Sequence, residues 1–135
     1  NLTIHGDANL LMQALINLIR NAAGVMAEHP TRPRQLRLEA APAEARTPEG
    51  RSVPMHALRV HDSGPGIDAA TADKLFTPFF TTSATGTGLG LAIVHRIADA
   101  HGGRVSLRSR ASPVEGATAE LLLPVPPVPP DGSGS

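Results

Sequence analysis

At 135 residues the chain has the length of one domain, able to bury a modest core without metal or disulfide staples. Its 12 Lys and Arg balance its 12 Asp and Glu, so no net field draws it to nucleic acid or anionic lipid. It has no cysteine, which excludes disulfides, cysteine-ligated metals and thiol redox chemistry.

In chain order, residues 2–5 alternate and then meet Gly6 and Asp7, which predicts a short strand running into a helix capped by Asp7. Leu11, Ala14, Leu15, Leu18, Ile19, Ala22 and Val25 recur at helical spacing, and Pro30 sets the far limit, so one helix is expected over roughly residues 8–28. Residues 35–41 alternate as a half-buried strand. Residues 42–54 are rich in Pro, Gly, Ala and charge and predict a surface connection, after which residues 56–61 form the next strand and end at Asp62. A short helix is expected at 69–75. Residues 76–90 hold turn-favouring residues without a steady period, the pattern of a mobile lid, and they include the only three aromatics, Phe76, Phe79 and Phe80. A helix over 91–100 should stop at His101-Gly102-Gly103, and strands at 104–110 and 117–123 close the fold.

This order predicts an α+β fold, a two-layer sandwich with helices on one face of a mixed, mostly antiparallel sheet. Residues 1–123 form the domain and 124–135 a Pro/Gly/Ser-rich tail or linker without a core of its own. No segment reads as apolar over the length a bilayer demands, and no basic region followed by an apolar core opens the chain. Beginning at Asn1, the chain reads as a piece of a longer protein.

Three motifs carry chemistry. Asn17 and Asn21 lie four residues apart, so both amides leave one helix face. Asn21 could offer its carbonyl oxygen to Mg²⁺, which prefers hard oxygen ligands, or both could be ordinary solvent-facing asparagines. Asp62-Ser63-Gly64-Pro65-Gly66-Ile67 places an acid at a strand end beside two glycines. A carboxylate there can accept from an exocyclic amine while the glycines admit a flat base; a plain Asp-capped turn uses the same residue types. Finally, Gly86-Thr87-Gly88-Leu89-Gly90-Leu91 leads into a helix and offers backbone N–H groups to an anion. It lacks the Gly-Lys-Ser/Thr of a P-loop and the spacing of a dinucleotide fingerprint.

Together NLIRNA at Asn21, DSGPGI from Asp62, FTPFF from Phe76 and GTGLGL from Gly86 resemble, in order and spacing, the N, G1, F and G2 boxes of sensor histidine kinase catalytic domains. The resemblance covers roughly residues 3–123 and is strongest to nitrogen-regulatory-type kinases of two-component systems. It implies the Bergerat-type ATP-binding fold and Mg-ATP as cofactor. Asp62 would bind the adenine amine, Asn21 the Mg²⁺, and Asn17 would support the metal or phosphate side. Gly64 and Gly66 would shape the base pocket, with Ile67 and Thr82 among the nucleotide contacts. Gly86, Thr87, Gly88, Leu89 and Gly90 would wrap the phosphates, and Phe76, Phe79 and Phe80 would anchor the lid by burial.

The reaction implied is γ-phosphoryl transfer to a histidine on a separate dimerisation domain, with a response regulator downstream in the phosphorelay. Such a parent is expected to be a homodimer, cytoplasmic in this part, with no nucleic-acid or direct membrane contact by this domain. Related ATPases that hydrolyse ATP place a Glu four residues before the metal-binding Asn; Asn17 stands there and an amide cannot act as a general base. A dimerising ATPase is therefore disfavoured. Many relatives carry a Lys or Arg near Ser83 and one turn past Asn21, where this chain has Gly24. That departure keeps a non-catalytic nucleotide-binding module as the alternative. None of the six histidines has an acidic, helix-borne phosphoacceptor context; His61, His95 and His101 read as surface or packing residues.

Overall fold

A computed structural model describes residues 6–28, 34–64, 70, 74, 76, 90–109 and 116–125. Helix α1 spans Ala8–Ala27. Its start is fixed by Asp7, whose Oδ1 accepts from the N–H of Asn9 at 2.9 Å and of Leu10 at 3.1 Å. Those two donors would otherwise be orphaned at the helix N-terminus. Ala14, Leu18, Ala22 and Met26, each four residues on from the last, form its buried stripe.

By length and composition α1 could cross a bilayer, contrary to the sequence expectation. One stripe of it instead packs into the core, which takes in Ala14, Leu18 and Ala22, while Leu10, Met12 and Ile16 are exposed.

The sheet has four strands among the described residues: β1 Leu36–Arg46, β2 Ser52–Asp62, β3 Arg104–Ser109 and β4 Ala117–Pro124. They lie in the order β1-β2-β4-β3, and every ladder is antiparallel. The β1–β2 hairpin is longer than the sequence suggests, because residues 42–46 and 52–54 are strand and only 47–51 turn. Two prolines argue for a connection there, and the ladder absorbs both. Pro42 faces His56 and Pro54 faces Glu44. These pairs share the parity opposite to Gln35–Ser63, where the Ser63 N–H donates to the Gln35 carbonyl, so both prolines occupy non-hydrogen-bonded positions of β1–β2. Pro54 also lies one residue past the β2–β4 ladder, which starts at Met55.

Helix α2, Gly90–Ala100, buries Leu91, Ala92, Val94, Ile97 and Ala98. It stops on glycine: the Gly103 N–H donates to the Ala98 carbonyl at 2.8 Å, with Gly102 at φ +72°. A Cβ on Gly103 would fall 2.0 Å from the Leu122 carbonyl oxygen, so only glycine lets the chain turn this tightly into β3.

His101, just past α2, ties the two helices. Its Nδ1 lies 2.8 Å from the Ile97 carbonyl and its Nε2 accepts from the Asp7 N–H at 3.0 Å, which fixes the Nδ1–H tautomer. A Cβ on Gly6 would strike this ring. The C-terminus of α2 thus abuts the N-terminus of α1, and α2 runs back along it. Both helices cover one face of the sheet, where Val60, Leu121, Leu123 and Ala119 complete the core. The expected two-layer α+β architecture is present; the strand expected at 2–5 and most of the helix expected at 69–75 lie outside the described residues, as does the tail beyond 125.

Candidate functional site

Asp62 is the last residue of β2 and points to the helix face, where it is only 6% exposed. Its Oδ1 accepts from the Gly64 N–H at 3.0 Å and from the Ala117 N–H at 3.3 Å. The carboxylate is therefore aimed by the turn that follows it and by the start of the neighbouring strand. Gly64 is buried against α1: a Cβ there would lie 3.2 Å from Asp62 Oδ1 and 3.3 Å from Val25 Cγ1. Ser63 braces the same turn, accepting from the Gln35 N–H at 2.7 Å. The result is a carboxylate at the bottom of a turn that any side chain at Gly64 would crowd.

Asn17 and Asn21 are half-buried on one flank of the α1 stripe. Asn17 Nδ2 is shielded from solvent and has no hydrogen-bond partner among the described residues. A shielded, unpaired amide costs about 1–3 kcal/mol unless something outside the fold completes it. Helix α2 is tied at its C-terminal side to Asp7 and packs with α1 in one core, and its Gly90 end carries the positive end of a helix dipole, which favours an anion. Half-buried Phe76 packs on the core, its ring 6.1 Å from that of His95 on α2.

The family model described as histidine kinase-, DNA gyrase B-, and HSP90-like ATPase matches residues 6–127. The catalytic domain of histidine kinase ThkA superposes with a TM-score of 0.66 at 30% identity, covering 90% of this chain and 70% of that one. The chain belongs to this family, as a histidine kinase ATP-binding catalytic domain. It is 39% identical over 122 residues to sensor histidine kinase ZraS of Escherichia coli strain K12, covering 90% of this chain and 23% of ZraS. It is 35% identical over 125 residues to the sensory histidine kinase/phosphatase NtrB of Rhizobium leguminosarum bv. phaseoli, covering 90% of this chain and 32% of NtrB. The chain thus spans about a quarter to a third of the length of these relatives.

Of the expected site residues, the kinase domain brings together Asp62 with Gly64 at one end of β2, and Asn17 with Asn21 on the facing helix, with Phe76 and Gly90 at α2. Gly66, Ile67, Thr82, Gly86, Thr87, Gly88 and Leu89 lie outside the described residues, as do Phe79, Phe80 and Ser83. Gly24 is exposed with open space around it, and Arg20, Lys74 and Arg96 are exposed. Among the described residues no cluster of three His, Asp or Glu could hold a metal.

The sequence reading missed the opposite face of the sheet. Glu39 on β1 lies 3.4 Å from Arg59 on β2; Arg59 Nε donates to Glu120 on β4 at 2.7 Å; Arg108 on β3 lies 3.7 Å from Glu120. His61 Nε2 lies 2.9 Å from Glu39 and its Nδ1 2.8 Å from Thr118 Oγ1. A strap of polar side chains therefore crosses all four strands. The bond from His61, with help from Arg59, holds the Glu39 carboxyl below the usual carboxylate range against its desolvation, and Glu120 raises Arg59. The signal was in the alternation: Glu39, Arg59 and His61 fall on the strand parity opposite the core residues.

Proposed function

We propose that this domain binds Mg-ATP between α1, the Asp62 turn and the start of α2, and presents the γ-phosphoryl group to a histidine of a separate dimerisation domain in the parent kinase. The observation that carries this reading is the buried Asp62 carboxylate, held by two backbone N–H groups beside a glycine where a side chain would crowd it. Asp62 accepts from the adenine 6-amino group. Asn21 offers its carbonyl oxygen to Mg²⁺, and the unpaired Asn17 amide suits a phosphate oxygen or a metal-bound water on the same side. Bound Mg²⁺ supplies charge neutralisation across the phosphates. The α2 N-terminus adds positive potential there, and the acceptor imidazole supplies the nucleophile, so the domain needs no base of its own; its work is positioning.

The absence of a carboxylate at position 17 supports transfer over hydrolysis. The parent is a two-component kinase that acts as a homodimer with a response regulator downstream, and this domain lies on the cytoplasmic side.

Asp62→Asn should weaken ATP binding by about 1.5–3 kcal/mol through loss of a charge-assisted acceptor, measured by calorimetry. An unchanged dissociation constant sinks the base assignment. Asn21→Ala should abolish the Mg²⁺ dependence of binding while leaving the circular dichroism spectrum intact. Mixing the domain with its dimerisation domain and Mg-ATP should give acid-labile phosphohistidine; tight binding without phosphohistidine would make it a regulatory nucleotide binder instead.

A further inference from the structure

The carboxylate that reads the base is aimed partly from the other side of the sheet. Asp62 pairs with Ala117 and His61 with Thr118, in register at the very end of the β2–β4 ladder. Asp62 and Ala117 face the helices; His61 and Thr118 face outward. The Ala117 N–H on Asp62 Oδ1 is the longer of its two named bonds, 3.3 against 3.0 Å, and Ala117 is the first residue of β4. A small outward shift of that strand end would release it.

The strand end is held by its ladders to β2 and β3, and on the outer face the next residue adds a side-chain bond. Thr118 is 3% exposed and His61 9% exposed. Glu39, ionised, can only accept, so His61 Nε2 carries the proton given to it. In the neutral imidazole Nδ1 is then an acceptor, and Thr118 Oγ1 is the donor. Glu39 is itself held by Arg59, so the imidazole is clamped from both ends.

We propose that His61 and Thr118 are positioning residues of the base pocket: their hydrogen bond pins the start of β4, keeps the Ala117 N–H on Asp62 and so sets the aim of the carboxylate for the 6-amino group of the nucleotide. This deepens the functional reading above and rests on Asp62 contacting that amine. Neither side chain touches the nucleotide, since both lie across the sheet from it. Their effect is confined to the interaction that depends on the aim of Asp62, and phosphate and metal contacts on α1 are untouched.

The test compares binding of ATP with that of purine riboside triphosphate, which lacks the 6-amino group. In the wild type ATP should bind the more tightly. Thr118→Val keeps the volume, removes the donor, and should cut ATP affinity about fivefold, the worth of one neutral hydrogen bond, while leaving the analogue unchanged. Thr118→Ser should restore the preference, and His61→Leu should reproduce the loss from the other partner if Thr118→Val does not fold. Equal weakening of both nucleotides, or no weakening, overturns the inference. Asp62→Asn is the control: if it erases the preference for ATP while Thr118→Val does not, the inference alone fails; if it leaves the preference intact, the base reading fails and the inference with it.

Discussion

Asn17 holds a residue-scale conflict between stability and binding. Its shielded Nδ2 is unsatisfied among the described residues. Asn17→Leu should therefore raise the unfolding free energy by about 1 kcal/mol in denaturant titration, yet weaken Mg-ATP binding in calorimetry. Glycines separate just as cleanly. Gly103→Ala puts a methyl 2.0 Å from the Leu122 carbonyl and should cost upwards of about 2 kcal/mol, because strand β4 itself would have to move. Gly24 lies inside α1 with nothing within 4 Å of a Cβ, so Gly24→Ala should gain up to about 1 kcal/mol. Thermal melts of the two variants should shift in opposite directions.

The helices were the most legible elements in the sequence. An apolar period, an Asp cap and a glycine stop act locally, and α1 and α2 begin and end within a residue or so of expectation. Asp7→Ala should accordingly cost about 1 kcal/mol, as N-caps do, read from the denaturation midpoint. The hairpin was less legible, because a proline's tolerance in a strand depends on which residue faces it across the ladder, and register is a property of two segments together. The same holds for the candidate site. Asp62 and Asn21 stand out as motifs, but the unpaired state of Asn17, and the use of Ala117 to aim Asp62, follow only from which strand end meets which. His61 took the packing role expected of it, with partners on β1 and β4 that its own neighbourhood in sequence does not reveal.

At the scale of the whole molecule, the four-strand strap gives the sheet a dependence on acid. The Glu39 carboxyl is held below its ordinary range when folded, so its contribution is present in full above the unfolded carboxylate range and is lost as pH falls through the lower, folded value. Melting temperatures of wild type and Glu39→Gln should therefore differ at neutral pH and converge in acid below about pH 4. Because Glu39 is partly open to solvent, added salt should narrow the neutral-pH gap as well. A gap that stays constant from pH 7 to pH 3 would show that the strap does not depend on that charge.

The long hairpin sets a distance that an experiment can use. Its turn, around Glu49 and Gly50, lies at the opposite end of β2 from Asp62, about 33 Å away for ten residues of strand. Gly50 adopts φ +83° with open space around it, and its N–H donates to the Thr47 carbonyl. A fluorophore attached at Glu49 would sit outside the sheet proper and report, by energy transfer to a labelled nucleotide, on occupancy without disturbing it. The stiff ribbon between them would serve as the ruler.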